Sequence, residues 1–184
     1  MGTVEPRKQQ ILLAQAFADL MKRHRDAVLL LVGDYPSHYS MALRDYLESS
    51  GVDGKIRLLP IVSDPYPWYA MADGFALLSD VESMPRSIME AMGFGLPVLA
   101  SRVFGIPELI DEGKTGLLIG PNSRRSAAEG LDKLLCLSMQ ERAAMGQAAR
   151  ERIKTGFDSG AHAEACLALI KGLVGGEAAD RPAR

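Results

Sequence analysis

Apolar positions along the chain switch between two periods, and the switching orders the elements. Leu13, Ala16, Phe17, Leu20 and Met21 recur at helical spacing, with Gln15, Asp19, Lys22 and Arg23 on the opposite face. Residues 27–33 (AVLLLVG) form an unbroken apolar run ended by glycine, the pattern of a parallel strand covered on both faces. The same reading predicts a helix over Tyr39–Ser50, a strand over Ile56–Pro60 and a short helix over Pro65–Asp73. Strands follow at Phe75–Ser79, Pro97–Ser101 and Leu117–Ile119, with a short helix from Pro85 to Met92 between the first two of these. Ser138 and Glu141 make a capping-box pattern that opens a helix reaching about Lys154. Asp158 is placed to cap a last helix running to Val174, and Gly175–Arg184 reads as a frayed tail. Strands alternating with helices predict one domain over residues 1–174, an α/β doubly wound, Rossmann-like parallel sheet.

Composition narrows the function classes. A chain of 184 residues can bury one sizeable core. Its net charge of −2 comes with no basic stripe interleaved with aromatics, so nucleic acid is not an expected partner. No apolar run reaches membrane-span length and no charged-then-apolar leader opens the sequence, which makes a cytoplasmic location the expectation. Cys136 and Cys166 are expected as buried free thiols on helices. His24, His38 and His162 are scattered without metal-ligand spacing, and no hydrolase triad can be placed around them. Gly113-Lys114-Thr115 has the look of a phosphate-loop ending, but Glu108 stands where that loop needs its first glycine. Gly93-Phe94-Gly95 follows a helix and lacks a third glycine, so it is no dinucleotide fingerprint.

The richest stretch is residues 82–101, ESMPRSIMEAMGFGLPVLAS, in which Glu82 and Glu90 stand eight positions apart. The first acid falls in a strand-to-helix loop and the second about two turns further on. Between them lie the free N–H groups of a helix start, which suit a phosphate. Two carboxylates that accept hydroxyl protons beside an anion-binding helix end describe a pocket for a nucleotide sugar. In doubly wound sheets ligands sit beyond the carboxyl ends of the strands. Gly33-Asp34 and Asp80–Glu82 both follow apolar strands on that edge.

These residues carry a resemblance. Glu82, seven residues, then Glu90-Ala-Met-Gly-x-Gly-x-Pro-Val98, followed by Gly105-Ile-Pro-Glu108 and Asp111–Gly116, is similar to the donor-binding C-terminal half of GT-B-fold, retaining glycosyltransferases of the family 4 (group 1) type. Gly2-Thr-Val-Glu-Pro-Arg-Lys8 resembles the phosphate-contacting loop that opens that half, and the likeness covers roughly residues 2–175. The resemblance implies that Glu90 grips the ribose diol, while Glu82 reaches the transferred sugar and stabilises charge at its anomeric carbon. It implies that Arg7 and Lys8 clamp the diphosphate without a metal or other cofactor. Ser83, Met84, Arg86 and Ser87 would border the diphosphate or sugar, and Ile61 and Val62 would meet the base. Gly105–Glu108 and Asp111–Gly116 are expected as turns of the scaffold. Pro85 is expected at the first helical position, where its missing N–H is not needed. The sequence departs from the family at Thr3 and Gln9, where Arg and Gly are usual, and at Ser83-Met84-Pro85-Arg86, where Gly-Phe-Gly is common.

The family has a central strand before the Gly2–Lys8 loop, and an acceptor-binding N-terminal domain before that; both are expected to be missing here. A parallel sheet without its inner strand leaves two halves poorly paired unless another segment fills the gap, at about 1–3 kcal/mol for each unpaired buried group. Attachment of the intact enzyme to a membrane face through an absent portion is compatible with the resemblance. Two other readings stand beside a glycosyltransferase donor domain: a nucleotide-sugar epimerase, for which this half lacks the acid–base cluster, and a non-catalytic GT-B-derived fragment or interaction domain.

Overall fold

The computed structural model describes residues 1–52 and 54–177. Among the described residues there are five strands, β1 (Leu29–Asp34), β2 (Ile56–Pro60), β3 (Phe75–Leu77), β4 (Val98–Ser101) and β5 (Gly116–Ile119). Eight α-helices accompany them: α1 (Gln10–Leu20), α2 (His38–Ser49), α3 (Tyr66–Met71), α4 (Arg86–Gly93), α5 (Ile106–Leu109), α6 (Arg124–Cys136), α7 (Met139–Gly156) and α8 (Ser159–Glu177). Pro6–Lys8 forms one 3₁₀ turn. Most elements lie within two or three residues of their expected bounds. Pro85 is displaced by one position: it caps α4 in an extended conformation and Arg86 takes the first helical place.

All strand pairs are parallel, as the apolar runs require. The strands form two sheets, β1-β2 and β3-β4-β5. In β4 all four residues are buried, and its side chains alternate between two cores. Leu99 joins the cluster built from Leu13 and Phe17 of α1, Leu31 of β1, Leu43 of α2 and Leu131 of α6. Val98 and Ala100 point the other way, into a cluster with Tyr69, Ile88 and Met92, Ile106 and Ala149. Helices therefore cover both faces, the doubly wound arrangement, and the first cluster spans both sheets.

No further strand joins β1 to β3 among the described residues; a short segment does part of that work. Gly2 N–H donates to Val32 O at 3.0 Å and Val4 N–H to Gly33 O at 3.1 Å. A few residues later Asp80 N–H, just beyond β3, donates to Arg7 O at 2.9 Å. Residues 2–7 thus tie the two sheets together at one rim, the filling the sequence reading made a condition.

Both cysteines are exposed, which corrects the expectation of buried thiols. The inner face of α6 is Ala127, Gly130, Leu131 and Leu134, so Cys136 falls off it. α8 extends past Val174 to Glu177, and Asp158 does cap it, accepting from Ala161 N–H at 2.8 Å. Of the expected frayed tail, residues 178–184 lie outside the described residues. No helix among those described is long and apolar enough to cross a membrane.

Candidate functional site

Three strand-to-helix connections converge at one rim. Gly33 is the last residue but one of β1, Ile61 and Val62 follow β2, and Glu82 follows β3; all line a hollow of about 370 Å³. Gly2, Thr3, Arg7 and Lys8 close it from the bridging segment, and Pro85, Arg86, Ser87 and Glu90 close it from α4. Backbone packing sets this geometry. Gly33 has φ +123°, and a Cβ there would stand 2.2 Å from Gly2 O, so only glycine lets the bridging segment lie this close to β1. Gly105 does the same for the site loop, since a Cβ would meet Ser83 O at 1.8 Å. The Gly105–Glu108 stretch, expected as scaffold, is thus the buttress of the loop that carries Glu82.

The two acids are held by different partners. Glu82 accepts from Arg7 Nη1 at 2.8 Å and from Ser79 Oγ at 3.3 Å. Glu90 accepts from the Tyr69 hydroxyl at 3.0 Å, and Arg86 Nη2 stands 3.7 Å from its other oxygen. Tyr69 is buried, and burial is the main cause that pushes its phenol well above the usual tyrosine range, with the Glu90 charge adding to it. The hydroxyl therefore stays a donor and fixes the carboxylate from beneath. Tyr69 in turn stacks on Phe94, with ring centroids 5.7 Å apart. Sequence reading missed Tyr69, because nothing in its local pattern marks the partner it finds 21 positions away.

The cations face the same space. Arg7 Nη2 pairs with Glu5 at 2.8 Å while its other nitrogen holds Glu82. Lys8 Nζ lies 3.4 Å from both Glu5 Oε1 and Thr3 Oγ1. Burial alone would raise the Glu5 carboxyl, but the Thr3 hydroxyl and the charges of Arg7 and Lys8 hold it below the usual value. The start of α4 completes the set. Helices α2, α6 and α7 each begin under a serine cap, whereas no side chain caps α4. Its first N–H groups are free donors beside the hollow.

Of the residues expected at the site, Arg7, Lys8, Glu82, Arg86, Ser87 and Glu90 line this one hollow. Ser83 and Met84 sit in the same loop but are not among the lining residues; Ser83 turns its carbonyl to Gly105. A roomier hollow of about 540 Å³ lies between α7 and the Asp111–Thr115 turn. Its chemistry is already spent: Arg152 is bonded to Asp111 at 3.0 Å and to the carbonyls of Leu109 and Glu108, each at 2.6 Å.

Comparison with known proteins bears on the family and the fold. The sequence model of the family described as glycosyl transferases group 1 matches residues 1–152. The N-acetyl-alpha-D-glucosaminyl L-malate synthase of Bacillus anthracis is 33% identical over 147 residues, covering 80% of this chain and 38% of that protein. The crystal structure of Anabaena Alr3699/HepE in complex with UDP superposes with a TM-score of 0.85 at 24% identity, over 93% of this chain and 48% of that one. The C-terminal domain of a group 1 glycosyl transferase (LpcC) from Francisella tularensis gives 0.78 at 22% identity, over 86% of this chain and 84% of that one. The chain thus spans less than half the length of the full-length relatives it matches, and corresponds to their C-terminal half. By sequence and by fold, it belongs to the group 1 glycosyltransferase family.

Proposed function

We propose that the chain is the donor-binding half of a glycosyltransferase that moves a sugar from a nucleoside-diphosphate sugar to an acceptor hydroxyl, with retention of configuration. The observation that carries this reading is the convergence of two carboxylates, three cations and the uncapped start of α4 around one hollow. Glu90, steadied by Tyr69, accepts hydrogen bonds from the ribose diol, and such charge-assisted bonds are the stronger kind. Lys8, Arg7 and the first N–H groups of α4 meet the diphosphate. As the glycosidic bond breaks, negative charge grows on the departing diphosphate, and fixed donors already in place stabilise it. Glu82, on the far side of Arg7, reaches the transferred sugar and stabilises positive charge at its anomeric carbon. Arg86 and Ser87 border the sugar and phosphates, and Ile61 and Val62 present backbone to the base. The donor's charge is met by side chains and amides, so no divalent ion is required. The acceptor is held by an N-terminal domain that this chain does not include.

Calorimetric titration of the folded chain with UDP, GDP and ADP tests this. Saturable heat with at least one of them is expected, together with no sugar transfer by this half alone. Absence of heat with all three would overturn the reading in favour of a fragment that keeps the fold without the function.

A further inference from the structure

Far from the nucleotide rim, three side chains of metal-binding type meet at the end of α1. His24 Nε2, Asp132 Oδ1 and Cys136 Sγ lie within 4.8 Å of one another. Asp132 and Cys136 are four apart on α6 and so share one helix face. His24 comes from the turn after α1, and its Nε2 is 2.7 Å from Asp132 Oδ1. We propose that these residues form a site for one thiophilic divalent cation of the zinc class, clipping the end of α1 to α6.

The donor set selects the ion. Nitrogen, thiolate sulfur and one carboxylate oxygen suit zinc and its analogues, whereas magnesium and calcium need oxygen-rich shells. Bonds of roughly 2.0–2.3 Å to a tetrahedral centre place ligand atoms about 3.5 Å apart. The His24–Asp132 pair therefore opens from 2.7 Å to admit the ion and Cys136 closes on it from within 4.8 Å, with water as the fourth ligand. Arg23 Nη1 holds the other Asp132 oxygen at 2.5 Å, which fixes the carboxylate and leaves Oδ1 for the ion. Cys136 is exposed and provides the entry path. Sequence spacing does not reveal the site, because His24 is 108 positions from Asp132.

Cobalt(II) substitution on the reduced full chain is the test. Equimolar Co²⁺ is expected to give a thiolate-to-cobalt charge-transfer band with tetrahedral visible bands, displaced by Zn²⁺ and unaffected by Mg²⁺. Cys136→Ser should abolish the band, and His24→Ala should weaken Co²⁺ binding at least about tenfold. Cys166 lies 3.6 Å from His162 Nε2 on α8 and is the competing thiol; Cys166→Ser should leave the band unchanged. Both cysteines are exposed, so the serine variants keep the fold, which far-ultraviolet dichroism checks. Absence of the band, or a band that survives Cys136→Ser, would overturn the assignment.

Discussion

At the scale of single residues, the site is a set of charges that hold one another in place before any ligand arrives. Arg7 spans Glu5 and Glu82, and Tyr69 holds Glu90. A nucleotide diphosphate would have to draw Arg7 partly away from Glu82, whereas Glu90 need only turn a free lone pair to the ribose. Glu90→Gln is therefore expected to weaken nucleotide binding by about tenfold or more, the loss of one hydrogen bond to a charged group. Tyr69→Phe keeps the carboxylate and loses only its support, so a smaller loss, roughly two- to tenfold, is expected in the same titration. The two acids stood out in the sequence because their spacing brackets a helix start after an apolar strand, whereas Arg7 and Lys8 were named only by the family resemblance. Tyr69 and Gly105 were not legible as site residues, and Gly33 was legible only as a position on the ligand edge, not as the point of close approach. Their contribution is a burial or a close backbone approach that exists only once distant segments pack.

At the scale of elements, continuous apolar runs such as Ala27–Gly33 made the strands readable, whereas α6 was not delimited. Its inner face, Ala127, Gly130, Leu131 and Leu134, mixes small residues and glycine, which blurs the helical period. That helix is joined to α1 by Asp19, which takes two bonds from Arg124 at 2.6 and 2.8 Å. The Arg124 hydrogen bonds hold the Asp19 carboxyl below the usual aspartate value. A depressed folded-state value means the contribution is present above the unfolded value near 3.8 and fades as pH falls below it. Urea unfolding of Asp19→Asn against the parent chain should show a small stability difference that is constant above pH 5 and shrinks toward pH 3. Helix α8 behaves oppositely to α6: its side chains through Val174 are exposed, including Leu167, Leu169, Ile170 and Leu173. Ending the chain at Phe157 is therefore expected to shift the melting temperature by no more than about 2 °C, since almost no buried apolar area is lost.

At the scale of the whole molecule, the doubly wound fold was legible from alternation alone, and the division into two sheets follows the expectation of a gap before the Gly2–Lys8 loop. What the sequence did not show is that the segment carrying Arg7 and Lys8 to the hollow also ties the sheets together, through Gly2, Val4 and Arg7. A ligand that engages Arg7 and Lys8 from one side and the start of α4 from the other would therefore reinforce the same join. Saturating nucleotide is expected to slow amide exchange at Gly2, Val4 and Asp80 more than at Leu29, at the far end of β1; mass spectrometry of the exchanged chain reads this directly. The consequence is that filling and cohesion are one equilibrium. An empty molecule has three backbone bonds at that rim beside the core that spans both sheets, and a bound nucleotide would be their mortar.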